Sequence, residues 1–199
     1  LVSEVSGVPV TLEGAELSGA ELEFINFEGL NLTGANLSGA NLTFADLSNA
    51  NLKNAKLRNA TLAFADLSEA DLTGADLTGA NLFVADLAEA TLERADLDFA
   101  DFEGAELSGI NLKNARLWNA NLKGVNLEGA EINDSNLVNA NLSGANLIEA
   151  NLSGADLNGA NLNEADLTRA NLEEVNFERA SLVNAKLEGA YLFGADLRN

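Results

Sequence analysis

The chain has 199 residues, enough for one sizeable domain, and a formal charge of −20 from 31 acidic and 11 basic side chains. That charge argues against a surface that binds nucleic-acid phosphates directly, and it favours a protein partner with a basic surface. The sequence has no His and no Cys, which removes the usual general base, thiolate nucleophile and zinc ligands. We therefore predict a protein that is not an enzyme, with no catalytic residues, no cofactor and no metal ion.

Residues 1–10 do not share the pattern of the rest of the chain, and their four valines occur at irregular spacing. We predict that this segment is an N-terminal cap. It lacks the basic start and long apolar stretch of a signal peptide, and no apolar run reaches the ~18 residues of a membrane span. These features favour a soluble, cytoplasmic protein, although a start at Leu1 rather than Met leaves room for a removed leader or tag.

From Thr11 to Ala195 the chain divides into 37 consecutive five-residue units without an insertion or deletion. Leu occupies the second position in 33 units, Ala the fifth in 31, and the first is usually Asn or Asp. A period of five fits neither an amphipathic helix nor an ordinary strand. Ala and the next Leu, two residues apart, point the same way in a short extended piece, and the frequent Gly or Asn at the fourth position suits a tight corner. Each unit is thus predicted to be a short straight side followed by a turn.

This pattern, Ala-(Asn/Asp)-Leu followed by two variable residues, resembles the pentapeptide-repeat family, and it is similar in its regularity to cyanobacterial members. The resemblance implies an all-β fold, a right-handed parallel β-helix with a quadrilateral cross-section and four pentapeptides per coil. It makes residues 11–199 a single uninterrupted solenoid of a little over nine coils, roughly 45 Å long at ~4.8 Å per coil. The stacked Leu and Ala side chains would form its core.

With four units per coil, residues twenty apart lie on one face, so the charge of each face can be counted. The acidic face, which begins with units 26–30 and 46–50 and continues in steps of twenty, has 11 acidic and 2 basic residues. Its candidate interaction residues are Asp46, Asp66, Asp86, Glu106, Glu69 and Glu89. A solvated surface or a binding site for a basic partner would each account for them. A metal site fits poorly, because one carboxylate per coil does not surround a cation.

A second candidate surface is a column of apolar residues at the fourth position of successive coils, Phe24, Phe44, Phe64 and Val84, with Phe83 beside it. We call Phe24, Phe44, Phe64 and Phe83 the aromatic column. Two interpretations fit it: mutual stacking that shields the turns, or an apolar strip that binds another protein.

Three more aromatic residues are candidates for contacts. Trp118, the only Trp, is either an interaction hot spot or a tolerated surface substitution. Tyr191 and Phe193 lie in the last coil, and an open solenoid end tends to dimerise. We therefore predict an end-to-end homodimer through that coil.

The leading functional hypothesis is a non-catalytic structural or binding protein that presents a rigid acidic rod to another macromolecule. In the family that the chain resembles, the fluoroquinolone-resistance and gyrase-inhibitor proteins are thought to mimic duplex DNA. A DNA mimic that binds DNA gyrase or topoisomerase is therefore an alternative, and the lack of projecting loops after Thr11 weighs against it. A passive structural rod without a specific partner is the third hypothesis.

Overall fold

A computed structural model describes residues 11–198, so the proposed cap at residues 1–10 lies outside the described part of the chain. Within residues 11–198 there is no helix, and each unit consists of a single bridge residue and a two-residue turn, with one unassigned residue on either side of the turn. The bridges are parallel and join residues twenty apart, from Thr11 with Asn31 to Asn176 with Asp196. Four units therefore make one coil, as predicted, and the handedness of the coils stays a prediction.

The coils are held together by a backbone hydrogen-bond pattern that repeats from unit to unit. Leu47 N donates to Asp66 O in the next coil at 2.7 Å, and Asn49 N donates to Ser68 O at 2.9 Å. Inside the unit, Ala50 N donates to Leu47 O at 3.0 Å and closes the turn. Because the backbone N–H groups of the first, second, fourth and fifth residues are paired in nearly all units, the coils are held together without long strands.

The N–H of the third residue in each unit takes no part in this pattern, and the side chain of the first residue accepts it in most units. Asp46 Oδ1 accepts from Ser48 N at 3.1 Å, and Asn51 Oδ1 accepts from Lys53 N at 3.2 Å. Such a bond to a backbone donor two residues ahead is an Asx turn, which only a short side chain with an oxygen makes well. This bond explains why the first position is so often Asn or Asp.

The fourth residue of every described unit has a positive φ, in 16 glycines and 21 other residues. Gly adopts this conformation without strain and Asn tolerates it, whereas a bulky or β-branched side chain is an outlier there. Val84, with a φ of 54°, and Phe44, with a φ of 58°, are such outliers. These two positions therefore carry backbone strain that the fold does not require.

The core is the predicted double ladder of second-position and fifth-position side chains, buried without a break from Leu32 to Phe177. Phe102 and Phe177 are the largest fully buried side chains. Ser135 is the one polar residue at a buried fifth position, and its Oγ donates to Ile132 O at 2.6 Å. Since burying one Leu stabilises a fold by ~1.5–3 kcal/mol, the ladder dominates the stability of the rod.

None of the described residues forms a helix that is long and apolar enough to cross a membrane.

Candidate functional site

The candidate carboxylates of the acidic face form a continuous column. Asp46 bridges to Asp66, Asp66 to Asp86, and Asp86 to Glu106, each one coil further along. In each of them one carboxylate oxygen holds its own turn; Asp66 Oδ1, for example, accepts from Ser68 N at 2.9 Å. Asp66 and Asp86 make no hydrogen bond through Oδ2 to another described residue, which leaves one oxygen of each available to a partner.

Glu69 and Glu89 lie on the same face, at the fourth position of their units, with φ values of 58° and 59°. Four stacked units of this face, 46–50, 66–70, 86–90 and 106–110, thus carry six carboxylates and no Lys or Arg. We call them the stretch from Asp46 to Glu106. Like charges ~4.8 Å apart repel by nearly 1 kcal/mol even in water, so this arrangement opposes folding slightly.

Ion pairs are distributed unevenly over the rod. The described residues contain ten, and two of them lie on the acidic face: Arg169 with Glu149 at 2.8 Å, and Lys186 with Asp166 at 2.8 Å. Both are near the C-terminal end of that face. The other eight pairs neutralise carboxylates elsewhere on the rod. The six carboxylates between Asp46 and Glu106 therefore form the part of the acidic face that no described Lys or Arg compensates.

Hydrogen bonding lowers the pKa of two carboxyl groups of this face, Glu106 and Asp166. For Glu106, burial acts to raise the pKa, but bonds from the Ser108 side chain, from Asn126 and from the Ser108 backbone outweigh it, and the pKa is lowered. For Asp166, the hydrogen bond from Lys186 and then that from the Thr168 side chain lower the pKa to about 2. Both groups therefore remain charged at mildly acidic pH.

The Lys186–Asp166 pair predicts a specific dependence of stability on pH. The pKa of Asp166 in the folded chain, about 2, lies below the ordinary value of 3.8, so its stabilising contribution is complete above pH 3.8 and is lost as the pH falls toward 2. We expect Lys186→Met to reduce the free energy of unfolding slightly at pH 7, as for other exposed pairs, and by much less near pH 2. Urea denaturation at a series of pH values measures this difference.

The matched control is Lys113→Met, because Lys113 makes no ion pair with a described residue. If the two variants lose stability equally at every pH, the Lys186–Asp166 pair does not stabilise the fold.

The aromatic column is a stack of exposed rings. The ring centroids of Phe24 and Phe44 are 5.1 Å apart with planes 5° from parallel, and those of Phe44 and Phe64 are 4.9 Å apart at 13°. Phe83 meets Phe64 edge-on at 5.6 Å. All four rings remain exposed, from 71% for Phe24 to 40% for Phe83. The rings therefore stack on one another, as the first of the two interpretations predicts. The stack still leaves much apolar surface exposed to water, so the second interpretation stays open to test.

Trp118 belongs to a cluster that sequence reasoning did not recognise. Its ring packs edge-on against Phe99, with centroids 4.8 Å apart, and its backbone N–H donates to Oδ1 of the buried Asp98 at 2.9 Å. The other oxygen of Asp98 accepts from Arg116. The first residue of this unit is Arg116, whose side chain has no oxygen to accept the Trp118 N–H in an Asx turn. Asp98, in the preceding coil, accepts that N–H instead. The twenty-residue spacing from Asp98 to Trp118 was the available signal.

Tyr191 and Phe193 are exposed in the last described coil, and their rings stack with centroids 6.4 Å apart. Their role in self-association stays a prediction. Within the described part of the chain, no three Asp or Glu side chains are grouped closely enough to hold a metal ion.

The fold therefore defines a β-solenoid built from five-residue units, with charged and aromatic surfaces on its faces. Family models agree: the model for pentapeptide repeats (8 copies) matches residues 15–54, 45–82 and 84–119, and the model for a pentapeptide repeat region matches residues 111–187. The chain belongs to the pentapeptide-repeat family. Neither model is that of an enzyme. No curated protein matched the sequence.

Solved structures of the family are similar to this chain. HetL, a pentapeptide repeat protein involved in heterocyst differentiation regulation in the cyanobacterium Nostoc sp. strain PCC 7120, is 34% identical over 88% of this chain and 91% of its own, with a TM-score of 0.45. Rfr23 from the cyanobacterium Cyanothece 51142 is 31% identical over 61% of this chain and 90% of its own, with a TM-score of 0.30. One structure of QnrB1, a plasmid-mediated fluoroquinolone resistance protein, is 22% identical over 95% of this chain and 88% of its own, with a TM-score of 0.45.

Proposed function

We propose that the protein is a non-catalytic binding rod whose acidic face docks a basic surface of a partner protein. The observation that supports this most is the stretch from Asp46 to Glu106, where six carboxylates have no compensating Lys or Arg among the described residues. A passive rod gains nothing from such a stretch, since the repulsion opposes folding. A partner that brings cations to these carboxylates removes the repulsion on binding and is attracted over a distance of about 8–10 Å at moderate salt.

The rod itself suits this role. We infer that it winds right-handed through a little over nine coils. Because residues twenty apart pair along the rod, equivalent positions on one face recur every ~4.8 Å. A surface of this kind holds its charges at fixed spacing before the partner arrives. The ordering of the charged side chains is then partly complete, and less entropy is lost on binding.

The test is the double variant Asp66→Asn with Asp86→Asn, with a decalysine peptide as the probe of a basic surface. Asn occupies the same position in other units of this face, such as Asn126, where its Oδ1 still accepts the N–H two residues ahead at 3.3 Å. The variant is therefore expected to fold. We expect its affinity for decalysine to fall by about tenfold at low salt, as calorimetric titration would measure, because two contact charges are lost.

The matched control is Asp101→Asn with Asp156→Asn. These two residues also begin their units, make no ion pair among the described residues and lie on other faces, so the control loses the same net charge. We expect the control to weaken binding less than about twofold. Equal weakening by the two variants would indicate a response to net charge alone, as a passive rod would give.

The DNA-mimic alternative receives less support. Each strand of duplex DNA carries one charge per ~3.4 Å of its length, whereas the column from Asp46 to Glu106 has one first-position carboxylate per ~4.8 Å. Eight ion pairs on the other faces also reduce the negative potential around the rod. Binding to DNA gyrase or topoisomerase therefore stays the second hypothesis.

A further inference from the structure

The aromatic column opposes the stability of the rod in two ways. Phe24, Phe44 and Phe64 have φ values of 58°, 58° and 60°, in a region that costs a non-glycine residue about 1–2 kcal/mol. Further along the same corner, Gly104 and Gly124 occupy the equivalent position, so the fold needs no side chain there. The rings are also left in water. Positive φ is shared by 21 non-glycine residues of the rod, so the exposed apolar surface is the feature that is typical of a binding site.

The acidic face borders this column along one side. Asp46, Asp66 and Asp86 each follow a column position by two residues, across the corner of the coil. On the opposite side of the column, the first residues of the Phe44, Phe64 and Val84 units are uncharged, and Glu21, beside Phe24, is the exception. The result is an apolar strip of about three coil spacings, ~15 Å, with a column of carboxylates on one flank and a single carboxylate, at the Phe24 end, on the other. A second copy of this chain is a poor occupant, because symmetric pairing along the strip would bring the two acidic columns near each other.

We infer that the aromatic column and the adjoining carboxylates form a docking site for a basic amphipathic α-helix of the partner protein. This inference rests on the proposed function of the acidic face and names the kind of segment that it binds. The spacing of the rings supports it. They recur every 4.9 to 5.1 Å, and a helix presents one residue of an apolar stripe about every 5.3 Å along its axis.

Other backbone conformations fit the rings less well. Alternate side chains of an extended strand are about 6.6–6.8 Å apart and fall out of register with the second ring. A polyproline II helix turns once in about 9.3 Å and meets every second ring. A helix of about ten residues covers the ~15 Å strip, with its apolar stripe on the rings and Lys or Arg on one flank beside Asp46, Asp66 and Asp86.

The test uses a labelled peptide of about eighteen residues made of Leu and Lys, with Leu on one helical face, and a scrambled peptide of the same composition. Fluorescence anisotropy gives the affinities. We expect Phe44→Gly to raise the Kd of the amphipathic peptide by about fivefold, and the triple variant with Phe24→Gly and Phe64→Gly to raise it by at least about tenfold. Glycine relieves the positive φ at each position, so these variants are expected to fold at least as well as the unmodified chain.

The matched control is Phe99→Gly, which removes another exposed Phe with a positive φ, 61°, from a different corner of the rod. We expect it to change the Kd by less than about twofold, and we expect the peptide to gain helical circular dichroism when bound. Equal binding of the scrambled peptide, or an unchanged Kd in the triple variant, would overturn the inference. If either occurs while Asp66→Asn with Asp86→Asn still weakens decalysine binding selectively, the docking helix is wrong and the acidic binding face stands.

Discussion

Truncation of Phe102 to alanine is expected to lower the free energy of unfolding by about 3–5 kcal/mol, as for other buried Phe residues. Phe102 is 1% exposed and lies near the middle of the rod. Collapse around the cavity is restricted, because Phe102 N donates to Asn121 O at 2.8 Å and Ala105 N donates to Phe102 O at 2.8 Å. The walls therefore stay in place, and the cavity forfeits most of the contacts of the ring. Chemical denaturation followed by Trp118 fluorescence measures the loss.

Two variants calibrate this result. Phe102→Leu restores the side chain that 33 of the 37 units carry at this position, and its cost is expected to be about 1 kcal/mol. Leu192→Ala removes a side chain that is only partly buried, in the last described coil, and we expect it to cost less than half as much as Phe102→Ala. A loss below about 1 kcal/mol for Phe102→Ala would mean that the coils close over the cavity.

Replacement of Asp98 by alanine is expected to cost about 1–3 kcal/mol, because it leaves Trp118 N–H without an acceptor and Arg116 without a buried partner. Most units satisfy the equivalent N–H with an Asn or Asp two residues earlier. Adding Arg116→Asn to the Asp98→Ala chain would place such an acceptor two residues before Trp118. We therefore expect the double variant to be more stable than Asp98→Ala alone.

Urea denaturation followed by far-ultraviolet circular dichroism measures the four chains of this cycle, and the coupling free energy is expected to be about 1 kcal/mol or more. Asp98→Asn is the control that keeps an oxygen for Trp118 N–H and removes only the charge. Additive effects of Asp98→Ala and Arg116→Asn would show that the N–H of Trp118 needs no protein acceptor.

The register of the rod could be predicted from the sequence because a period of five with no interruption allows one assignment of core and corner. The same arithmetic located the acidic face and the aromatic column, since each depends only on residues twenty apart. The Asx turns were not predicted from the sequence. They depend on which backbone N–H has no backbone acceptor after the coils have paired. The structure shows that it is the N–H of the third residue, as in the bond from Ser48 N to Asp46 Oδ1.

The distribution of ion pairs also required the structure. Side chains as long as those of Arg116 and Lys186 reach either along a coil or across to the next one, so their partners cannot be read from spacing alone. Arg116 contacts Asp98 and Asp96 in the coil before it, and Lys186 contacts Asp166. Once these contacts are known, the carboxylates between Asp46 and Glu106 stand out as the uncompensated part of the acidic face.

The pairing of residues twenty apart constrains how a protein of this kind changes length in evolution. A duplication of twenty codons adds one coil and leaves each downstream side chain on its original face. A duplication of five codons adds one side of a coil and moves the whole downstream part of the chain by a quarter turn, which would split the acidic face between two sides of the rod. Residues 51–60 and 111–120, similar to each other at an offset of sixty, fit the first kind of event.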